Sequence, residues 1–130
     1  MNTDTVSALA EGRQIVTVAG AKDAADLPWN PHPAFEGVSL KHLVTGADTD
    51  GALSCHLVRV APGKTLKSHI HEGQWELHEV VSGEGVAGID GAATRYSPGV
   101  VAVIPKGLAH EVTAGDAGLC LFAKFFPALL

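Results

Sequence analysis

The chain has 130 residues, of which 46% are hydrophobic and 18% charged, and its formal net charge is −5. These values favour one packed domain over residues 1–130 and exclude a disordered chain. The acidic balance provides no basic patch for nucleic acid or anionic lipid, and no apolar run reaches the about 18 residues that span a bilayer. The start of the chain lacks the apolar segment of a signal peptide, and the two separated cysteines fit a reducing compartment, so the cytoplasm is the expected location.

The predicted elements are almost all short strands. Residues 1–12 include one short predicted helix, near 5–11, and form either an arm on a neighbouring subunit or a frayed end. A Pro-rich loop is predicted at 21–35 and a turn at 45–52. Segments rich in β-branched and apolar residues predict strands at 13–20, 38–44, 53–60, 66–71, 76–83, 85–89, 100–105, 109–115 and 119–126. This succession indicates an antiparallel sandwich or barrel, with its core at about 36–126.

Imidazole and carboxylate side chains are concentrated in the segment 67–85. His69 and His71 alternate on one predicted strand, so both point to the same face with Cα atoms about 7 Å apart, close enough to share an ion. Glu76 returns to that face after a turn if the two strands pair, and His110 begins a later strand. A His-x-His pair alone is more often exposed or hydrogen-bonded than metal-bound, so the surrounding order of residues decides.

That order resembles the two sequence motifs of the cupins. The first motif is matched by Gly63, five residues, His69, one residue, His71, four residues, Glu76, six residues and Gly83. The second is matched by Gly99, five residues, Pro105, one residue, Gly107, two residues and His110. The second motif departs from the family at Ala114, where an Asn that is not a metal ligand is frequent.

The resemblance implies an all-β, double-stranded β-helix or jelly-roll barrel. It also implies that His69, His71, Glu76 and His110 hold one divalent transition metal, with Fe, Mn, Ni, Zn, Co and Cu all suited to these ligands. Two adjacent positions on an octahedral ion would stay open for water, dioxygen or a chelating substrate. Small cupins resemble one another in forming dimers, and the apolar strand 13–20 needs a partner, so a homodimer is expected.

Two functions from different classes fit the resemblance. The first is a metal-dependent enzyme acting on a small oxygenated molecule, either a dioxygenase-like oxidoreductase or an isomerase or lyase. The second is a non-catalytic cupin that binds a small ligand as a sensor or carrier. The short chain and the intact ligand set argue against a storage cupin. Fold membership does not choose between the first two, because one scaffold hosts many chemistries.

His78 is the candidate catalytic residue outside the ligand set. It lies two residues beyond Glu76, so both side chains occupy the same face of the strand. It is either an acid/base or substrate-orienting group, or a support that holds Glu76 or a water in place. Four further residues have an undetermined place relative to the pocket: Lys67, Trp75, Arg59 and Tyr96.

Overall fold

The computed structural model describes residues 12–130 of the chain. This part contains a short helix, α1 (Gly46–Thr49), and a 3₁₀ turn at Ala24–Asp26. Its strands are β1 (Gln14–Thr17), β2 (Gly20–Asp23), β3 (Asn30–Pro31), β4 (Val38–Val44), β5 (Ser54–Val60), β6 (Thr65–His69), β7 (Trp75–Ile89), β8 (Ala92–Tyr96), β9 (Val101–Ile104) and β10 (His110–Phe126). No helix in the described part is long and apolar enough to cross a membrane. The helix predicted near 5–11 and most of the predicted arm lie outside the described residues.

Two long strands organise the barrel. The main sheet has the order β3-β4-β5-β10-β7-β8, with β6 added on β10 and β9 added on β7, and every pairing is antiparallel. The first half of β10 pairs with β6 and with the end of β7, whereas its second half pairs with β5 and with the start of β7. Both long strands therefore contribute one half to each side of the barrel. This is the arrangement of a jelly-roll barrel, and it confirms the predicted fold class.

The strand boundaries differ from the sequence prediction at informative places. β7 joins the predicted strands 76–83 and 85–89, and β10 joins 109–115 and 119–126, because register shifts take the place of turns at their midpoints. The predicted strand 13–20 is instead part of a hairpin in which β1 pairs with β2. This apolar strand thus finds a partner within its own chain, which removes the reason for expecting it to pair with a second copy.

Apolar side chains form two cores on opposite faces of the main sheet. The core inside the barrel contains Val38, Val58, Val60, Leu66, Val80, Ala87, Tyr96, Val112, Ala114, Leu119, Leu121, Ala123 and Phe125. The core outside it contains Ile15, Ala24, Leu43, Leu57, Val81 and Cys120. Leu57 and Val58 belong to different cores because neighbouring strand residues face opposite ways. The segment 14–31 therefore covers the outer wall, and each buried Leu or Val contributes about 1.5–3 kcal/mol to folding.

A polar cluster also lies inside the barrel, between β4 and β5. The Nδ1 atoms of His42 and His56 are 2.8 Å apart, and the other ring nitrogen of His56 lies 2.8 Å from the Ser54 hydroxyl. The Leu129 backbone N–H donates to the same hydroxyl at 2.9 Å. His56 and Ser54 are fully buried. Burial, with a smaller effect of His42, lowers the pKa of His56 to about 4, so its ring is neutral at pH 7.

The buried His56 predicts a loss of stability in mild acid. The unfolded chain takes up a proton at this residue below about pH 6.5, whereas the folded chain does so only near pH 4. The unfolded state therefore binds more protons in that window, and falling pH costs at most about 3 kcal/mol of unfolding free energy from this residue. Urea unfolding at pH 7 and pH 4 measures the loss, which we expect to be smaller in His56→Phe. Equal losses in the two proteins would contradict this assignment.

Two motif glycines predict different costs of substitution. Gly83 and Gly63 have φ of +80° and +73°, which disfavours any side chain. A Cβ at Gly83 would also overlap the carbonyl oxygen of Gly118, whereas one at Gly63 would meet open space. We expect Gly83→Ala to lower the free energy of unfolding by about 3 kcal/mol or more, and Gly63→Ala by about 1 kcal/mol. Urea unfolding of both variants checks this, and equal costs would show that backbone strain alone acts at both positions.

Candidate metal centre

Three strands bring the predicted ligands to one end of the barrel. His69 is the last residue of β6, Glu76 is the second residue of β7, and His110 is the first residue of β10. His110 pairs with His69 across the ladder, and the Gly107 N–H donates to the His71 carbonyl at 2.9 Å. The loop before β10 thereby holds the segment that carries His71.

The strand pairing that brings the four residues together differs from the prediction. His71 lies two residues beyond the end of β6, although the prediction placed it inside that strand. β6 and β7 do not pair with each other in the described chain; each pairs with β10. Leaving the ladder lets the ring of His71 approach that of His69, with 4.9 Å between their centroids. β10, lying between the two strands, adds the ring of His110 at 4.2 Å from that of His69.

The four residues form a compact set, here called the cluster (His69, His71, Glu76 and His110). One nitrogen or oxygen atom of each lies within 4.8 Å of those of all the others. Glu76 and His110 are buried, whereas His69 and His71 are half-buried. The cluster is thus closed on its barrel side and accessible from the side of the two half-buried histidines.

Backbone carbonyls fix the orientation of two of the imidazoles. Nδ1 of His69 lies 2.7 Å from the Lys67 carbonyl, and Nδ1 of His110 lies 3.1 Å from the Leu108 carbonyl. Because a carbonyl oxygen only accepts, each Nδ1 carries the hydrogen. In the neutral rings the Nε2 atoms are then left with free lone pairs, as metal ligands require.

The two oxygens of Glu76 have different surroundings. Oε2 accepts a hydrogen bond from Nε2 of His78 at 2.6 Å. Oε1 lies 2.9 Å from Nε2 of His110 and 3.6 Å from Nε2 of His71. The close pair, Oε1 and the His110 Nε2, is buried and does not meet the geometry of a hydrogen bond. Two buried polar atoms that lie this close without bonding each other suit a cation that both of them contact, so these residues fit a metal ion.

The pKa shifts of the cluster residues also suit metal binding. Burial raises the pKa of Glu76, but the close imidazoles of His110 and His78 outweigh that effect, so the net pKa is lowered. Burial lowers the pKa of His69 and of His71. Burial also lowers the pKa of His110, but its contact with Glu76 outweighs that effect and raises it. At pH 7 the cluster therefore offers a carboxylate with neutral His69 and His71, the protonation states in which these side chains bind metals.

Two aromatic side chains lie beside the cluster histidines, Phe125 in the barrel core and Phe35 half-buried. The ring of Phe125 lies 5.0 Å from that of His71, and the ring of Phe35 lies 6.0 Å from that of His69. Sequence reasoning did not select either residue. Phe125 lies in a nearly continuous apolar run at 119–126, which does not show which residues face inward, and Phe35 lies in a loop that carries no periodic signal.

The structure places the four residues whose position relative to the pocket the sequence left undetermined. Lys67 and Trp75 are exposed, and Arg59 packs over the Trp29 ring at 4.1 Å, on the covered outer face rather than in the barrel. Tyr96 is fully buried, and its hydroxyl lies 2.9 Å from Nδ1 of His78. Among the four, Tyr96 alone has a side chain that is linked to the cluster by hydrogen bonds, through His78, whereas Lys67 contributes only its backbone carbonyl to His69.

Comparison with known proteins identifies the family. Residues 56–122 match the Cupin domain, and the chain belongs to this family. The chain is also similar to 5-aminosalicylate 1,2-dioxygenase from Comamonas sp., with 28% identity over 110 residues. The matched segment covers 83% of this chain but only 29% of that enzyme, so the chain spans less than a third of the relative's length.

Solved structures agree on the fold. KdgF from Halomonas sp. superposes with a TM-score of 0.67 at 23% identity, covering 77% of this chain and 86% of that one. A predicted oxalate decarboxylase from Thermotoga maritima superposes with a TM-score of 0.70 at 23% identity, covering 79% and 95%. At this identity the likeness establishes the barrel fold alone.

The cluster predicts that His71→Ala weakens metal binding without unfolding the barrel. The substitution removes one of the four converging atoms at a half-buried position, so the core stays intact. We expect the Co²⁺ affinity to fall by more than the about 10–100-fold that is typical when a residue merely supporting a ligand is lost. Chelator competition measures the affinity and circular dichroism the fold. His42→Ala, at another half-buried histidine, is the control and should bind Co²⁺ like the wild type; equal affinity in His71→Ala would remove His71 from the ligand set.

Proposed function

We propose that the chain is a metal-dependent enzyme that acts on a small oxygenated molecule, with His69, His71, Glu76 and His110 as the metal ligands. The observation that carries the proposal is the convergence of their four donor atoms within 4.8 Å. The unbonded buried pair in the cluster, Glu76 Oε1 and His110 Nε2, supports it, because a structural cluster would close that contact with a hydrogen bond. Three imidazoles and one carboxylate suit Fe, Mn, Co, Ni, Cu or Zn.

The protein residues bind, orient and shield the reacting centre. A divalent transition metal bound there supplies Lewis-acid polarisation of an oxygen or activation of dioxygen. The Lys67 and Leu108 carbonyls hold the His69 and His110 rings with Nε2 toward the centre. The buried side of the cluster excludes water, so a small molecule enters from the side of His71, whose side chain is 21% exposed.

Oxidation by dioxygen is the branch of this chemistry that we favour. The similarity to a 5-aminosalicylate 1,2-dioxygenase supports it. The half-buried ring of Phe35, which lies 6.0 Å from that of His69, suits a planar aromatic substrate, because aromatic rings pack with their centroids about 4.5–7 Å apart. In the described chain neither the Arg59 nor the Lys67 side chain has a hydrogen bond or ion pair to a cluster residue, so a chelating substrate would be held chiefly by the metal. An isomerase or lyase reaction would use the same centre without consuming dioxygen.

The partner implied by this site is a small molecule. The homodimer and the cytoplasmic location stay predictions. β1, the strand that motivated the homodimer, is paired with β2, although the Val16 side chain on it is 72% exposed.

Oxygen uptake tests the proposal. The protein loaded with Fe²⁺ is offered 5-aminosalicylate, other hydroxylated benzoates, aliphatic diols and keto acids, and dioxygen is followed with an electrode. We expect uptake with at least one hydroxylated benzoate and none with His71→Ala, which loses a ligand, while His42→Ala retains the activity. A protein that binds metal and substrate but consumes no dioxygen and changes no substrate would be a ligand-binding cupin instead.

A further inference from the structure

A line of hydrogen bonds continues from the cluster into the barrel core. Oε2 of Glu76 lies 2.6 Å from Nε2 of His78, and Nδ1 of His78 lies 2.9 Å from the Tyr96 hydroxyl. His78 and Tyr96 are 1% and 0% exposed. Glu76 and His78 belong to β7, whereas Tyr96 ends β8, which pairs with the far half of β7. The line therefore connects a candidate ligand with the opposite part of the barrel.

The chemistry of the three groups fixes the direction of these hydrogen bonds. The Glu76 carboxylate only accepts, so Nε2 of His78 carries a hydrogen and donates it. The Tyr96 hydroxyl is buried, and His78 is the partner within reach for its single hydrogen. Tyr96 therefore donates to Nδ1 of His78, which accepts. Every buried polar atom along the line is satisfied when the hydrogen bonds run from Tyr96 through His78 to Glu76.

This arrangement decides between the two roles that the sequence left open for His78. Both ring nitrogens are occupied, one by Glu76 and one by Tyr96, so neither can exchange a proton with a substrate. The line also ends at a fully buried hydroxyl and thus offers no path for a proton to solvent. The geometry points to positioning through Glu76 rather than to acid/base chemistry.

Holding one oxygen of Glu76 has a direct consequence for the metal ligands. With Oε2 bonded to His78, Oε1 is the oxygen that faces His71 and His110. A carboxylate without that hydrogen bond would have a second buried oxygen free, and it would turn toward the cation as a bidentate ligand. A bidentate Glu76 would occupy a coordination position that a substrate or dioxygen needs.

We propose that His78 and Tyr96 are a positioning pair that holds Glu76 as a one-oxygen ligand and keeps a coordination position open. The inference rests on the proposed metal site. It concerns how many oxygens Glu76 supplies, which the proposed function leaves undetermined.

The test uses the full chain loaded with Co²⁺, which reports both affinity and coordination. Chelator competition gives the affinity, and X-ray absorption separates a one-oxygen from a two-oxygen carboxylate ligand by the distance of the carboxylate carbon from the metal. We expect His78→Phe to bind Co²⁺ about 10–100-fold more weakly, as is typical when the support of a ligand is lost, and to bind it through both oxygens of Glu76, the second in place of a water. We expect Tyr96→Phe to act in the same direction by about fivefold, the usual effect of one lost hydrogen bond.

Two further variants separate positioning from packing. His78→Gln retains an N–H that can donate to Glu76, so it should restore most of the wild-type affinity and the one-oxygen binding of Glu76. His56→Phe removes a histidine that is equally buried but bonded to Ser54 and His42, so it should leave both readouts at the wild-type value. If His78→Phe does not fold, Tyr96→Phe and His78→Gln decide the question.

Several outcomes would overturn the proposal. Wild-type affinity and one-oxygen binding of Glu76 in His78→Phe or, where that variant does not fold, in Tyr96→Phe would show that Glu76 needs no support. A folded His78→Gln that behaves like His78→Phe would show that the ring packs rather than donates. Equal losses in His56→Phe would assign the effect to general weakening of the core. A wild-type protein that binds no Co²⁺ would instead refute the metal site itself, and that result is distinct from the others.

Discussion

The constraint on which the site depends is the burial of the Glu76 carboxylate, which is only 3% exposed. A buried charge is costly unless hydrogen bonds and opposite charges compensate it. Here the compensation is divided, because His78 satisfies one oxygen and the other is left facing the cluster histidines. The protein therefore holds a buried carboxylate with one oxygen that faces the cluster histidines and has no hydrogen bond. A cation bound there would compensate the charge that the side chains leave uncompensated.

β10 is the strand that makes this arrangement possible. Its first residue, His110, pairs with His69 on one side and with Ile89 of β7 on the other. Its second half runs beside the start of β7, where Phe125 is opposite Glu76. One strand thus sets the distance between the β6 histidine, the β7 carboxylate and its own imidazole. A shift of one residue in its register would turn His110 to the outer face and separate these groups.

The apolar runs and turn residues of the sequence predicted an antiparallel β sandwich or barrel, because strands and turns leave local signals. The jelly-roll topology and the set of four converging residues (His69, His71, Glu76 and His110) came from the resemblance of the glycine and histidine spacing to the cupin motifs. The sequence did not predict that β7 and β10 are continuous, because glycines at their midpoints suggest turns where the structure has register shifts. It also left the Tyr96–His78 contact undetermined, because pairing between strands, not spacing along one, brings these residues together.

In residues 12–130 the barrel holds two groups of buried and half-buried imidazoles that differ in whether their buried polar atoms have hydrogen-bond partners. His56 bonds to His42 on one side and to Ser54 on the other, and the Leu129 N–H also reaches that serine hydroxyl. That group is closed, as expected where polar side chains serve structure. The cluster contains the same kind of side chain but leaves the facing Nε2 of His110 and Oε1 of Glu76 without hydrogen bonds. Residue type therefore does not distinguish the two groups, because both contain histidines. The converging atoms without hydrogen bonds do distinguish them, so we assign the chemistry to the cluster and a structural role to His42 and His56.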